Sequence, residues 1–338
     1  MRLAIVGASR IGGRTLQAWR ECEGVTLTGV FSRSTTHGQH FAQQNGLKYL
    51  GPPEYLSHQE TADFDAVYVT SLNAHHAADI LFFLNQGKHV LAEKPLTLGY
   101  ADALAASEIA QKKGLILQEG MMHRFHPELL AFRKAILQMG HNNLRELDLN
   151  FNFCLETRGR ERRTKRGGGG ALADLGCYLI DFLTWTFNDW SPCSLQMQCT
   201  PEIDLYGDRI DSATLMTFKL NHDITVRLAC SITSPSRNLW EARGIESAIS
   251  IERNEPQEFR AFKMVEVNED SLLTENAFSL NDARQPQIQD NLFLFRSEFK
   301  NFRDAVTGKS APMISVHESL KNAEILEVLI KERNSLLG

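Results

Sequence analysis

Leu3-Ala4-Ile5-Val6-Gly7-Ala8-Ser9-Arg10-Ile11-Gly12 is the stretch on which the reading of the fold turns. The apolar run 3–6 ends in glycine, which marks a buried parallel strand. Residues 7–12 then follow the pattern G-x-G-x-x-G, with Ser9 at the middle glycine. That pattern serves a tight turn whose backbone, through Gly7, Ser9, Arg10, Ile11 and Gly12, approaches a pyrophosphate at a helix N-terminus. Ser9 sets a side chain where the backbone comes closest, although its hydroxyl is itself a donor for phosphate. A purely structural strand-to-helix turn would read the same way. The strand before it and the helix after it favour the dinucleotide reading.

Outward from this stretch, two periods alternate. Helical spacing over 11–22 uses Ile11, Leu16 and Trp19, and 25–31 is β-rich. Residues 37–45 are helical and stop at Asn45-Gly46. A strand over 66–71, a helix over 74–86, a strand over 89–92, a helix over 99–113 and a strand over 115–118 follow. This βαβα order predicts an α/β fold whose residues 1–122 form an N-terminal Rossmann domain, a doubly wound parallel sheet. The pattern changes near residue 123. A helix over 127–139 opens on Pro127 and gives way to a turn at 140–143. Strand-like segments follow at 145–155, 194–200, 212–220, 223–233, 239–252 and 258–267. They predict a C-terminal α/β domain over 123–338 with a large open sheet, mostly antiparallel or mixed. One helix, 171–187, interrupts them, and helices at 291–307 and 316–336 end the chain. The last is headed by Ser315-x-x-Glu318, a capping box. The terminal helices can pack back on the first domain.

At about 150 residues per domain, 338 residues make two domains. Lys plus Arg is 36 and Asp plus Glu is 41, a net charge of −5. That balance lacks the electrostatic footprint of a general nucleic-acid binder. No apolar run approaches the roughly 18 residues of a membrane span, and 3–6 is too short for a signal-peptide core. The expectation is a chain that starts inside its first strand, in the cytoplasm. The six cysteines form no Cys-x-x-Cys pair and no zinc pattern. They read as reduced thiols, mostly buried, with no metal site.

Three further motifs carry chemistry. Val30-Phe31-Ser32-Arg33-Ser34 ends the second strand, where an NAD site places Asp or Glu. No carboxylate occurs between Val25 and Thr36. Ser32, Arg33 and Ser34 instead suit a 2′-phosphate, so NADP is expected over NAD, with an ordinary loop arginine as the plainer reading. Glu93-Lys94-Pro95 follows the strand 89–92 and puts Lys94 at a strand's C-terminal end, where open α/β sheets bind ligands. In 171–187, Asp174, Tyr178 and Asp181 are spaced i, i+4, i+7 and share one face of an otherwise apolar helix. Burying two carboxylates and a phenol there is costly without a purpose. The plainer reading is a wetted polar stripe.

Taken together and in this order, these motifs resemble the Gfo/Idh/MocA oxidoreductase family over nearly the whole chain. Ser71, Leu72, Asn73 and His76 stand where that family has a cofactor-contacting loop. Arg124-Phe125-His126-Pro127 matches the segment entering its second domain, and Arg243-Gly244 and 299–312 resemble its C-terminal patterns. Most of the family reads Asp-x-Gly-x-His; here the last position is Tyr178. This is similar to the branch containing glucose–fructose oxidoreductase, dimeric dihydrodiol dehydrogenase and NADP-dependent xylose dehydrogenase. The resemblance implies a catalytic set of Lys94, Asp174 and Tyr178, with the tyrosine as acid/base group. A free phenol, pKa about 10, is too weak a base near neutrality unless an ammonium lowers it. Lys94 would be that charge, and Asp174 would orient Lys94 or the substrate. Cofactor contacts carry over to Glu93, Lys94 and Pro95. His123, Arg124 and Asp181 are candidate substrate contacts. The implied reaction is hydride transfer between NADP and a carbinol carbon of a sugar, polyol or cyclic diol, in a homodimer or homotetramer. Alternatives are a non-catalytic dinucleotide sensor, or a reductase of an imine or tetrapyrrole. Finally, 158–166 holds six basic residues of nine. It reads as a solvated loop, or as an electropositive lid for an anionic substrate.

Overall fold

The computed structural model describes residues 1–55, 63–155, 161–220, 224–234, 238–245, 247–253, 265–268 and 292–338. The chain forms two compact units, Met1–Met122 with Leu292–Glu327, and His123–Asn291 with Val328–Gly338. The first unit contains β1 (Arg2–Val6), α1 (Arg10–Arg20), β2 (Thr26–Phe31), α2 (Thr35–Gln44), β3 (Ala66–Val69), α3 (Asn73–Asn85), β4 (His89–Glu93), α4 (Tyr100–Lys113) and β5 (Leu117–Gly120). The second contains α5 (Pro127–Met139), β6 (Leu144–Asn152), α6 (Cys177–Phe187), β7 (Cys193–Ile203), β8 (Arg209–Lys219), β9 (Thr225–Ser231), β10 (Asn238–Gly244), β11 (Ser247–Arg253) and β12 (Val265–Asn268). The chain ends with α7 (Phe293–Val306), in the first unit, and α8 (Val316–Leu337). Among the described residues, no helix is long and apolar enough to cross a membrane.

The first sheet is parallel throughout, in the order β2-β1-β3-β4-β5. Beyond β2 the chain adds a single parallel bridge, Val30 to Tyr49, with Val30 N donating to Lys48 O at 2.8 Å and Leu50 N to Val30 O at 2.9 Å. The outermost strand of a doubly wound order is thus reduced to one bridge. Pro52 and Pro53 follow at once and offer no amide with which to extend it. The order reverses between β1 and β3, which sets the open end of β1 at the switch point. β1 and β3 are sealed on both faces: Leu3, Ala4, Ile5 and all of β3 are buried. On one face α7 closes the core, where Phe299 stacks on Trp19 at 3.8 Å between ring centroids.

The second sheet has seven strands in the order β12-β11-β10-β6-β9-β8-β7. β6 pairs with β9 in parallel and the other pairs are antiparallel, so the sheet is mixed. α5 and α6 cover one face, where Phe132, Phe182 and Trp240 pack together. On the other face Arg227 pairs with Glu146 and Asp148, and Arg243 with Glu146 and Glu241. β7 is the outer strand, shifted in register at 193/196 and at 200/201, beside Pro201.

Three expectations change. The segment 239–252 is two strands, β10 and β11. The helix expected over 171–187 begins as a π-turn, Leu172–Gly176, and becomes α-helical only at Cys177. The cysteines are free but only Cys22, Cys177 and Cys230 are buried; Cys154 and Cys193 are exposed. Part of the strand expected over 258–267 lies outside the described residues, and β12 accounts for its end. The capping box forms: Ser315 N donates to Glu318 Oε2 at 2.8 Å, and Glu318 N to Ser315 Oγ at 3.2 Å.

Candidate functional site

The glycine turn in the first unit is built for close approach. Gly7 has φ +104°, and a Cβ there would lie 2.7 Å from Ser71 N. A side chain at Gly7 would therefore break the contact between the β1–α1 turn and the β3–α3 loop. Thr70 Oγ1 clasps the same turn, donating to Gly7 O at 2.9 Å. Ser9 is the N-cap of α1, and its Oγ accepts from Gly12 N at 3.0 Å. The middle position is thus occupied by a capping hydroxyl, which satisfies one amide and keeps its own proton to give. Helix geometry leaves the N–H groups of Arg10 and Ile11 at the open first turn. A bare Gly7, a capped helix start and unspent amides suit a dinucleotide pyrophosphate.

At the end of β2, the loop holds itself. Ser32 Oγ donates to Ser34 O at 3.2 Å, and Ser34 caps α2 through His37 N at 3.4 Å. Arg33, half-exposed, reaches Asp79 on α3: Nη2 to Oδ1 at 2.6 Å and Nη1 to Oδ2 at 3.3 Å. Ser71 Oγ donates to Asp79 Oδ2 at 2.6 Å. Sequence reasoning missed Asp79. Its one visible signal was an acid among Ala77, Ala78, Ile80 and Leu81.

The Lys94–Pro95 peptide bond is cis, and the Lys94 side chain is largely buried. His76 is wholly buried. Its Nδ1 lies 2.8 Å from Pro95 O and its Nε2 3.0 Å from Ser71 O. Burial lowers its pKa more than these carbonyls raise it. His76 was expected at the cofactor; lying between these two carbonyls and donating to one of them, it links the β3–α3 loop to the Lys94-Pro95 turn. Leu72 and Asn73 start α3. Behind this turn, Tyr68 Oη donates to Glu93 Oε1. Glu298 on α7 is wholly buried, and neither of its oxygens has a hydrogen-bond partner among the described residues. Burial, and then the charge of Glu93, push its carboxyl well above the usual range.

In the second unit the π-turn alters the expected stripe. Arg162 Nη2 lies 2.5 and 2.7 Å from the two Asp174 oxygens. Asp181 is wholly buried and accepts from Arg124 Nε at 2.9 Å and Nη2 at 2.7 Å. His123 Nε2 is 3.1 Å from Asp181 Oδ2. Burial alone would raise the Asp181 carboxyl, but the Arg124 charge and the hydrogen bonds outweigh it and hold it well below the usual range. Burial lowers His123. Arg124 and Asp181, expected to meet substrate, pair with each other without solvent exposure. The Tyr178 ring stands edge-on to His123 at 5.2 Å and to Phe151 at 5.3 Å.

Arg158 and Arg160 lie outside the described residues. In the described part of the basic loop, Arg163 pairs with Glu202 and Arg166 approaches Asp208 at 3.8 Å, stacking over Tyr206. With Arg162 on Asp174, three of the four basic side chains in this part of the expected electropositive lid stand against acids.

Two family models match the chain. Residues 1–121 match the Gfo/Idh/MocA oxidoreductase family, NAD-binding Rossmann fold, and 134–250 match a Gfo/Idh/MocA C-terminal domain. The chain is 28% identical over 228 residues to trans-1,2-dihydrobenzene-1,2-diol dehydrogenase of Danio rerio, covering 67% of this chain and 66% of that protein. It is 33% identical over 141 residues to scyllo-inositol 2-dehydrogenase (NADP(+)) IolU of Bacillus subtilis, covering 41% of this chain and 42% of that one. Each match thus spans under two thirds of the relative's length. Among solved structures, the 3-ketoreductase KijD10 of Actinomadura kijaniata, in complex with NADP and TDP-benzene, superposes with TM-score 0.76 at 22% identity. That match covers 97% of this chain and 96% of the other, and at this identity it shows the fold. The glycine turn at the switch point and the two matched domains make the chain a member of the Gfo/Idh/MocA oxidoreductase family.

Proposed function

We propose that the protein is an NADP-dependent dehydrogenase that moves hydride between the nicotinamide and a carbinol carbon of a sugar, polyol or cyclic diol. The observation that carries this reading is Tyr178, one residue into α6 after the π-turn, with its ring set between His123 and Phe151. π-turns recur at functional positions because they re-aim the residues that follow. The ion pair of Arg124 and Asp181 backs His123, and so fixes one wall of the tyrosine without offering a competing charge. The activities of the relatives, on a dihydrodiol and on an inositol, support the substrate class.

When bound, the dinucleotide supplies a hydride acceptor or donor at its nicotinamide ring. In this reading the chain's own residues handle the rest. Gly7, Ser9, Arg10 and Ile11 receive the pyrophosphate, and Arg33 meets the 2′-phosphate. Tyr178 Oη takes the carbinol proton, or returns it in the reverse direction. The resemblance gives Lys94 the part of the ammonium that favours the phenolate. Asp174, held by Arg162, orients the substrate. Arg124 and Asp181 act as support rather than as substrate contacts. The test is Tyr178→Phe, assayed with NADP and a panel of polyols and cyclic diols. Turnover should fall by about 10²–10⁴-fold, the usual share of a general acid/base. Affinity for NADPH should stay within about twofold, since the ring and its packing remain. Unchanged turnover removes Tyr178 from the reaction.

A further inference from the structure

We infer that Asp79 is the positioning residue that gives the protein its preference for a phosphorylated dinucleotide, by fixing where the Arg33 guanidinium stands. The inference rests on the proposed reading of Arg33 as the 2′-phosphate contact. An arginine on a loop spreads over many rotamers and is a poor specificity element unless something orders it. Here the ordering group is a carboxylate with no solvent exposure, gripping the guanidinium through both oxygens at 2.6 and 3.3 Å. Two-pronged pairing fixes the plane of the guanidinium as well as its place. The side chain keeps 39% of its exposure. The guanidinium is therefore anchored on one edge and open on another. Arg33 cannot swing away without taking its charge from the buried Asp79 and leaving that carboxylate on the Ser71 hydroxyl, which is unfavourable.

The same carboxylate accepts from Ser71 Oγ at 2.6 Å, and Ser71 N is the atom that a Cβ on Gly7 would strike. Asp79 therefore ties the end of β2 to the loop that packs on the glycine turn. The pyrophosphate turn and the ribose-side loop are set by one side chain on α3. Two effects of Asp79 on a 2′-phosphate oppose each other. Its negative charge repels the phosphate, and its grip on Arg33 presents a preformed donor. The guanidinium stands between the carboxylate and solvent and compensates the charge at contact distance, so the positioning effect should win.

The experiment is a fluorescence titration of the full-length apoprotein with NADPH and with NADH, beside the thermal midpoint of the apoprotein. Asp79→Asn should weaken NADPH by about tenfold while NADH changes by less than about twofold, because only the phosphorylated ligand uses the bidentate-held group. Added to Arg33→Ala, it should weaken NADPH no further. A purely structural role would weaken both ligands in step with the thermal midpoint, and so would overturn the proposal. So would tighter NADPH binding, which would mean that the charge dominates. If Asp79→Asn does not fold, Asp79→Glu carries the test: it keeps the charge but displaces the guanidinium, and an unchanged preference sinks the idea. A wild-type protein without NADPH preference, or one whose preference survives Arg33→Ala, would instead refute the reading of Arg33.

Discussion

Glu298 and Asp181 are both wholly buried carboxyls, and their surroundings drive them in opposite directions. The folded chain holds a proton on Glu298 above the ordinary value of 4.5, where the unfolded chain has released it. The stability linked to that proton is present below 4.5 and is lost as pH rises through the folded value. Glu298→Gln removes the dependence. The variant's thermal midpoint should therefore gain on the wild type's as pH rises from 4.5, then level off; a constant difference would refute burial as the cause. Asp181 has the reverse sign. Its contribution is present above the ordinary value of 3.8 and drains away as pH falls further. Gly7, Lys94 and Tyr178 are candidates that local motifs name in the sequence. Asp79, Glu298 and the pairing of Arg162 with Asp174 are not named by any motif. Asp79 lies 46 residues from Arg33, and nothing short of the folded sheet brings them together.

Among the elements, α1 shows what a local rule delivers. Ser9 departs from the fingerprint but obeys helix capping, and its Oγ takes the Gly12 amide. Ser9→Ala should cost about 1 kcal/mol of unfolding free energy in urea, while Ser9→Gly should cost only a few tenths. Equal losses would show that the cap is idle. α5 matches its expected bounds of 127–139 because Pro127 and Gly140 punctuate it. The break between β10 and β11 was illegible. Gly244 looks like one glycine in a long strand, but its turn is held from elsewhere. Ile245 N donates to Asn143 Oδ1 at 2.9 Å and lies 3.1 Å from Asn143 O, and a Cβ on Gly244 would meet Met139 Sδ at 2.9 Å. The π-turn was equally hidden, since Asp174, Tyr178 and Asp181 fit α-helical spacing.

Over the whole molecule, the sequence reads the order of the units and allows the terminal helices to pack back on the first, without fixing where they part from it. Residues 292–327 return to the first unit, where Phe299 stacks on Trp19 and stands edge-on to Tyr68 of β3. The second sheet poses a different problem at its outer strand. A strand of 11 residues on the rim of a sheet is a template for recruiting strands from other chains, the first step toward insoluble assemblies. Two register shifts bend β7, and Pro201 withholds one amide beside the second. Pro201→Val should leave the native circular dichroism unchanged and increase light scattering during refolding from urea; equal scattering would leave the bends alone as the guard. That proline then has a use apart from chemistry: it keeps a long rim from becoming a seed.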